Sequence, residues 1–426
     1  MKHKRYEKLG EDIYSGELRS GLRINVVTKP GFRHGFAVLA ANYGGAHRRF
    51  SLGGTMHDTP AGVAHFLEHK MFDMPDGDNA LATLAANGAQ PNAFTSSGMT
   101  SYYFGCTEGF EENLRMLIKF VSTPYFTDET VAKEQGIIGQ EICMVEDDPG
   151  YVIYNRLMRM LYAHHPIRDQ VAGSIESIAQ ISAQTLYDCH RAFYVPSNMT
   201  LCVAADCDPE RIFGIADKLL THERQETPKA DMGENETEYP HESFCEEHME
   251  VSAPQFFIGA KLTPAPDGDA LLRQKLVSQL ALRTLLGQSG DFYSSLYADG
   301  TLGRDFGYET DYAAGTATII IHGQSEAPRK VLAELKGAVK SVSERGLDPD
   351  AFDAAKRAMF GSELRALEHF DALCFALVEG QFGGYCALDG FEVLESIGKA
   401  ECEEFISTHL SSDRLAMSVI SPVKAQ

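Results

Sequence analysis

Residues 58–72 read DTPAGVAHFLEHKMF, and the rest of the chain can be read outward from this stretch. Asp58 or Thr59 offers a capping side chain and Pro60 suits a first helical position, so the pattern predicts a helix over AGVAHFLEHKMF. At about 100° per residue, His65, Glu68 and His69 fall on one face, with the two imidazoles one turn apart. Two such rings can reach one Zn²⁺ at about 2.0–2.1 Å, and Glu68 then lies beside any water the metal holds. Zinc brings the pKa of that water towards about 7 and polarises a carbonyl, while a carboxylate takes the proton. Two ligands do not make a site. A third must come from elsewhere and leave one position open.

The candidate helix runs through TDETVAKEQGIIGQEICMVEDDP (residues 127–149), with Thr127 or Asp128 as cap and Pro149 at its far end. Glu134 and Glu141 are seven residues apart, within about 20° of two full turns, so their carboxylates point the same way. Gly136 and Gly139 thin the backbone between them, which predicts close approach by another helix. Glu141 is assigned as the third ligand and Glu134 as the carboxylate orienting a ligand imidazole. Spacing alone also permits the reverse. The H-x-x-E-H spacing is itself one used by zinc peptidases.

Around these helices the text alternates. SGLRINVVTKP (20–30) and FAVLAANYGG (36–45) read as a two-strand start, NALATLAANG (79–88) as a helix, and QPNAFTSSGMTSYYFGCT (90–107) as a strand or hairpin. EENLRMLIKFVSTP (111–124) places Leu114, Leu117, Ile118 and Val121 on one helical stripe. SIAQISAQTLYDCHRAFYVP (177–196) predicts one helix and NMTLCVAADC (198–207) a buried strand. Residues 221–243, THERQETPKADMGENETEYPHES, are polar, acidic and nearly free of aliphatics, as an interdomain linker would be. Beyond it, strand-like 249–262, helix-like 270–288, strand-like 315–323 and helix-like 329–346 and 348–370 repeat the grammar. The expectation is an α+β protein of two homologous domains, each a mainly antiparallel sheet with helices packed on one face. The boundaries are 1–222 for a zinc-binding domain, 223–243 for the linker and 244–426 for a second domain without metal ligands.

The 426 residues carry a formal net charge of −22, and 44% are hydrophobic against 23% charged. These are globular values, and the acidic surplus argues against nucleic acid as a partner. No apolar run suits a membrane helix, and MKHKRYEKLGED has no signal-like apolar region. Nine cysteines without a CxxC pair predict reduced, mostly buried thiols and a cytoplasmic location. His241, Cys245 and His248 have metal-like spacing but no fourth ligand nearby. His164-His165 before Pro166 read as a helix C-terminus, and adjacent Cys189 and His190 diverge too far on a helix to act as nucleophile and base. No serine-hydrolase elbow or phosphate-binding loop is present.

AHFLEHKMF (64–72), NAFTSSGMTSYYF (92–104), KEQGIIGQEI (133–142), HHPIRDQVAGSIESIAQIS (164–182) and FYVPSNMTLCVAAD (193–206) together resemble the insulinase (pitrilysin) family of zinc peptidases. The likeness covers most of residues 15–215 and, more loosely, the remainder. Within the family it points to the short-chain bacterial YmfH-like branch, related in architecture to mitochondrial processing peptidase. The resemblance implies that His65, His69 and Glu141 bind Zn²⁺, that Glu68 is the general base activating the zinc-bound water, and that Glu134 supports the site. It also implies a closed chamber of four such domains, hence a homologous two-domain partner subunit, a heterodimer being favoured over a homodimer. Asn92 and Ala93 match the strand edge along which family substrates lie as an added strand. Family members carry an Arg and a Tyr in their second half that stabilise the tetrahedral intermediate. Aligned on Leu296 in SSLYADGTLGRDFGY (294–308), Tyr297 stands where Arg is expected and Arg304 where Tyr is expected, with Tyr308 as another candidate. Either the pair is rearranged or a partner supplies it. The expected function is a zinc endopeptidase subunit acting on peptides or small unfolded proteins. The alternative is a non-catalytic peptide-binding or assembly subunit.

Overall fold

The computed structural model describes residues 1–221 and 223–423. His222, at the expected end of the first domain, and residues 424–426, at the end of the second, lie outside the described residues. The chain divides into two compact units, and neither is continuous in sequence. One contains residues 1–142, 170–232 and 364–388; the other contains 143–169, 233–363 and 389–426.

The first unit is built on strands β1 (Lys2–Tyr6), β2 (Glu11–Glu17), β3 (Arg23–Thr28) and β4 (Gly35–Ala41), a short hairpin β5 (Arg49–Leu52) and β6 (Thr55–Asp58), then β7 (Ala89–Thr95), β8 (Thr100–Cys106) and β9 (Met199–Ala205). Seven of these form one sheet in the order β1-β2-β3-β9-β4-β8-β7. The two runs on either side of Pro30, which read as a two-strand start, are therefore not neighbours. The apolar strand β9 lies between them, parallel to β3 and antiparallel to β4. All seven residues of β9 are buried, and only a central position covers both faces of a strand.

Helices α1 (Val63–Lys70), α2 (Ala80–Ala86), α3 (Phe110–Val121) and α4 (Asp128–Glu146) follow the predicted amphipathic pattern. Leu114, Leu117, Ile118 and Val121 of α3 enter the core with Val131, Ile138 and Ile142 of α4. The region 177–196 is not one helix. Ser182 Oγ accepts a bond from Thr185 N at 3.2 Å and starts a new helix at Ala183, separate from Ile175–Ile178.

The second unit carries β11 (Phe244–Met249), β12 (Gln255–Leu262), β13 (Gly307–Ala313), β14 (Thr316–Gln324) and β15 (Ala416–Pro422), in the order β11-β15-β12-β14-β13. Numbered by appearance, this is 1-5-2-4-3, with strands 1 and 5 parallel. The core strands β3-β9-β4-β8-β7 of the first unit have the same order and the same single parallel pair. The duplicated α+β plan is thus visible strand by strand, although no residue-level repeat is.

The expected helical cover on one face is incomplete. Helix Phe370–Phe382, from the second half of the chain, belongs to the first unit and packs on β4 and β9. Phe36 meets Phe375 there (5.8 Å between ring centroids), and Asn25 Nδ2 donates to Gln381 Oε1 at 3.1 Å. Conversely, helix α5 (Pro149–Leu161) belongs to the second unit and packs on β12 and β15. Each half of the chain gives up one helix, and each lands on the second and fifth strands of the other sheet.

The expected linker is also structured. Residues 229–231 form strand β10 (Lys229–Asp231), paired with β5 in the first unit. In the second unit, Glu236 accepts bonds from the backbone N–H of Ala163 (3.1 Å), His164 (2.6 Å) and His165 (2.8 Å), and Lys261 Nζ stands 2.9 Å away. Glu236 thus satisfies a cluster of backbone donors and the buried Lys261 rather than solvating a tether.

Candidate metal centre

Helix α1 starts later than its sequence suggests. Thr59 Oγ1 donates to Arg48 O, Asp58 ends β6, and α1 is entered through Gly62 at φ 92°. A Cβ at Gly62 would stand 2.5 Å from Ala172 O, so the left-handed turn and the close approach of residues 171–173 both require glycine. Val63, Ala64, Phe66 and Leu67 then enter the core, which leaves the polar residues of α1 facing α4 and β7.

On that face His65 and His69 lie with ring centroids 4.6 Å apart. Glu141 Oε1 is 3.5 Å from His65 Nε2, and Glu141 Oε2 is 3.6 Å from His69 Nε2. Among the described residues this is the single His/Cys/Asp/Glu cluster whose ligand atoms all lie within 4.8 Å of one another. Both separations are too long for good N–H···O bonds. They are close to the roughly 3.3–3.4 Å expected between two ligand atoms that share a tetrahedral zinc at 2.0–2.1 Å. Two imidazole nitrogens and one carboxylate, with room for a fourth position, are also the donor set of a catalytic zinc site. The residues fit the ion. His65 Nδ1 is buried without a hydrogen-bond partner, whereas His69 Nδ1 is 3.0 Å from Glu134 Oε1.

Burial would lower the pKa of His69, but the bond to Glu134 and the charges of Glu68, Glu134 and Glu141 raise it above its ordinary value. Burial likewise pushes Glu134 up, and His69 with Lys70 outweighs it, so the carboxyl lies below its usual range. Contact with His65 holds Glu141 low against the opposing effect of burial. Both acids are therefore anions near neutral pH. The two glutamates left interchangeable by spacing stand apart in the structure: Glu141 faces both Nε2 atoms and Glu134 faces one Nδ1.

Glycines 136 and 139 do not serve close packing. A Cβ on either would meet nothing within 4 Å. The approach of α4 to α1 instead follows from the side chains: Val131, Ile138 and Ile142 seat α4 in the core, and Glu134 and Glu141 flank that buried stripe.

Glu68 is buried beside the two rings, and Thr95 Oγ1 donates to its Oε2 at 2.6 Å. Thr95 ends β7, the last strand of the sheet, whose outer edge has no strand partner among the described residues. Asn92 and Ala93 lie on that edge strand. Neither Thr95, inside NAFTSS, nor Lys70, next to His69, carries a local sequence signal for this role.

The remaining candidates fall elsewhere. Tyr297 is exposed on helix Asp291–Ala298 and stacks on Tyr293 at 5.5 Å, and a hydrogen bond with Tyr297 raises the pKa of exposed Arg304. The two thus form a pair within the second unit. Tyr308 is on β13. His165 does not end a helix; its Nδ1 accepts from Ile167 N at 3.0 Å and caps the turn Pro166–Arg168. Buried His190 bonds Val121 O at 3.0 Å, away from any nucleophilic role.

Residues 52–174, which contain every residue of the cluster, match the profile described as Insulinase (Peptidase family M16), and residues 180–359 match that of the Peptidase M16 inactive domain. The uncharacterized zinc protease YmfH of Bacillus subtilis is 34% identical over 424 residues, covering 98% of both chains. The chain belongs to the insulinase (M16) family of peptidases. Among solved insulinase-family structures, an M16-like peptidase from Alicyclobacillus acidocaldarius superposes with a TM-score of 0.93 at 30% identity, over 97% of this chain and 99% of that one. The periplasmic protease PqqL of Escherichia coli shares the fold at a TM-score of 0.73 and 16% identity, over 97% of this chain but 48% of its own. The Bacillus subtilis relatives YmfH and YmxG, the latter 23% identical, are both named uncharacterized zinc proteases. Among the described residues no helix is long and apolar enough to cross a membrane.

Proposed function

We propose that this chain is the zinc-bearing subunit of a cytoplasmic endopeptidase that cleaves peptides or small unfolded proteins inside a chamber closed by a homologous two-domain partner. The observation that carries the reading is the meeting, at one end of a free sheet edge, of three ligand atoms and a buried carboxylate held by Thr95. His65, His69 and Glu141 would hold Zn²⁺. When bound, the ion acidifies a water molecule and polarises the scissile carbonyl.

The other steps belong to the chain. The open edge of β7 receives an extended peptide as an added strand, with main-chain groups at Asn92 and Ala93 gripping it with little regard to its sequence. Glu68 takes the proton of the attacking water and returns it to the leaving amine. Thr95 keeps one oxygen of Glu68 occupied, so the other faces the reacting centre. Glu134 holds His69 by Nδ1 and thereby directs Nε2 at the ion. The partner is supported by length, since the chain has the fold of about half of PqqL. We assign the Arg and Tyr that stabilise the tetrahedral intermediate to that partner, because Tyr297 and Arg304 occupy the reversed positions and engage one another.

The same Tyr297–Arg304 reversal favours a second reading, a peptide-binding subunit that keeps zinc but does not hydrolyse. Cleavage of a quenched peptide by wild type and Glu68→Gln, each with and without the homologous partner and each with zinc content measured, separates the two. Activity that needs the partner and vanishes in Glu68→Gln with zinc retained supports the enzyme. Equal turnover by Glu68→Gln removes it.

A further inference from the structure

Lys70 has no part in the steps above, yet it is only 2% exposed and follows His69 directly on α1. Its ammonium bonds the carboxylate of Asp73 and lies 3.7 Å from Glu134 Oε2. The other oxygen of that carboxylate is the one 3.0 Å from His69 Nδ1. A buried ammonium is costly unless it is paired, and here both of its partners are carboxylates, one of which, Glu134, also contacts His69.

We propose that Lys70 is a positioning residue for the zinc centre. Its charge attracts Glu134 Oε2 across 3.7 Å, which favours Oε1 on His69 Nδ1 and leaves Nε2 aimed at the point shared with His65 and Glu141. This rests on reading those three residues as ligands. Without the ammonium, Glu134 keeps only the weaker attraction of Lys133, so Oε2 loses its nearest cation, the carboxylate is freer to turn, and the imidazole loses its fixed orientation. Charge alone argues the other way. A lysine this close repels a dication, so removing it would tighten zinc if electrostatics were its whole effect. The two accounts predict opposite signs.

The test is the zinc dissociation constant, obtained by competition with a chromophoric chelator, for wild type, Lys70→Met, Glu134→Gln and the double variant. Thermal unfolding of each zinc-free protein is followed alongside. Lys70→Met is expected to weaken zinc by about 10–100-fold, the range typical of lost outer partners of metal ligands. Because Lys70 acts through Glu134, the double variant should bind no more weakly than Glu134→Gln alone. Lys70→Arg, which keeps the charge, should recover affinity to within about threefold of wild type. Lys70→Gln is the substitute should Lys70→Met fail to fold, and it should weaken zinc in the same direction. Unchanged or tighter zinc in a folded, uncharged variant overturns the proposal, as do fully additive losses in the double variant. A wild type that binds no zinc removes the ligand reading and the role of Lys70 with it. Equal binding by wild type and Lys70→Met removes only the latter.

Discussion

Thr95 Oγ1 donates to Glu68 Oε2 at 2.6 Å, which ties the last residue of the edge strand to the carboxylate beside the His65 and His69 rings. Thr95 Oγ1 is also 3.3 Å from Thr100 Oγ1, which donates in turn to Tyr43 O at 2.8 Å, so the hydroxyl is anchored from the sheet side. Thr95→Val keeps the shape and removes the donor. It should lower kcat by about tenfold or more with KM within about threefold, since a misdirected base affects the chemical step rather than peptide docking. Thr95→Ser should retain most activity. Steady-state kinetics on a quenched peptide measure both; an unchanged kcat in Thr95→Val means that Glu68 is held by something else.

Zinc should stabilise the folded chain. At a free concentration of about 100 times its dissociation constant, an ion bound only by the native state contributes about 2.7 kcal/mol. A strong chelator should therefore lower the Tm of wild type and leave His65→Ala and His69→Ala unmoved. Calorimetry with and without chelator reads the difference.

Gly62 and Gly173 lock the start of α1 against the 171–173 segment. Gly62 has φ 92° and Gly173 φ 76°, and a Cβ on either would stand 2.5 Å from a carbonyl oxygen, Ala172 O or Ala61 O respectively. Gly62→Ala should destabilise by more than about 2 kcal/mol, because left-handed strain of about 1–2 kcal/mol adds to the clash. It should also weaken zinc by shifting α1. Urea unfolding and chelator competition on one sample check both, and a variant as stable as wild type contradicts the account.

Stability should depend on pH through Glu236. Burial would raise its carboxyl, but backbone donors at 163–165 and Lys261 bring it from the ordinary 4.5 down to about 2. A depressed carboxyl stabilises the fold fully above its unfolded value and loses that contribution as pH falls through its folded one. Glu236→Gln should thus destabilise by roughly 1–2 kcal/mol at neutral pH, because solvent screening at this partly exposed carboxyl reduces the full effect, with the gap from wild type closing between about pH 4.5 and 2. A gap that stays constant over that window would rule out this linkage.

The exchanged helices make cutting the chain at its acidic stretch unfavourable. A fragment ending at residue 243 lacks helix Phe370–Phe382, which covers β4 and β9 and meets Phe36, Phe94 and Tyr103 through Phe375. It is expected to aggregate or to lose cooperative unfolding, whereas the full chain unfolds cooperatively. Size-exclusion chromatography and thermal circular dichroism distinguish the cases, and a monomeric fragment with a sharp transition would refute the expectation.

The sequence by itself determined what helical periodicity can carry. His65, Glu68 and His69 share a face because they fall within one turn or so, and Glu134 and Glu141 share one because seven residues nearly close two turns. The α+β plan and its repetition were legible for the same reason, since apolar spacing is set by each element's own geometry. Which glutamate meets the rings and which meets Nδ1 was open from spacing, because His69 and Glu134 are 65 residues apart and only the seating of α4 in the core brings them together. Thr95 and Lys70 carried no local signal, being ordinary residues until a sheet edge and a second helix arrive beside them. The helix exchange was likewise illegible. An amphipathic stripe requires a sheet to cover but does not specify which, so tertiary packing assigned Pro149–Leu161 and Phe370–Phe382 to the sheets of the opposite halves.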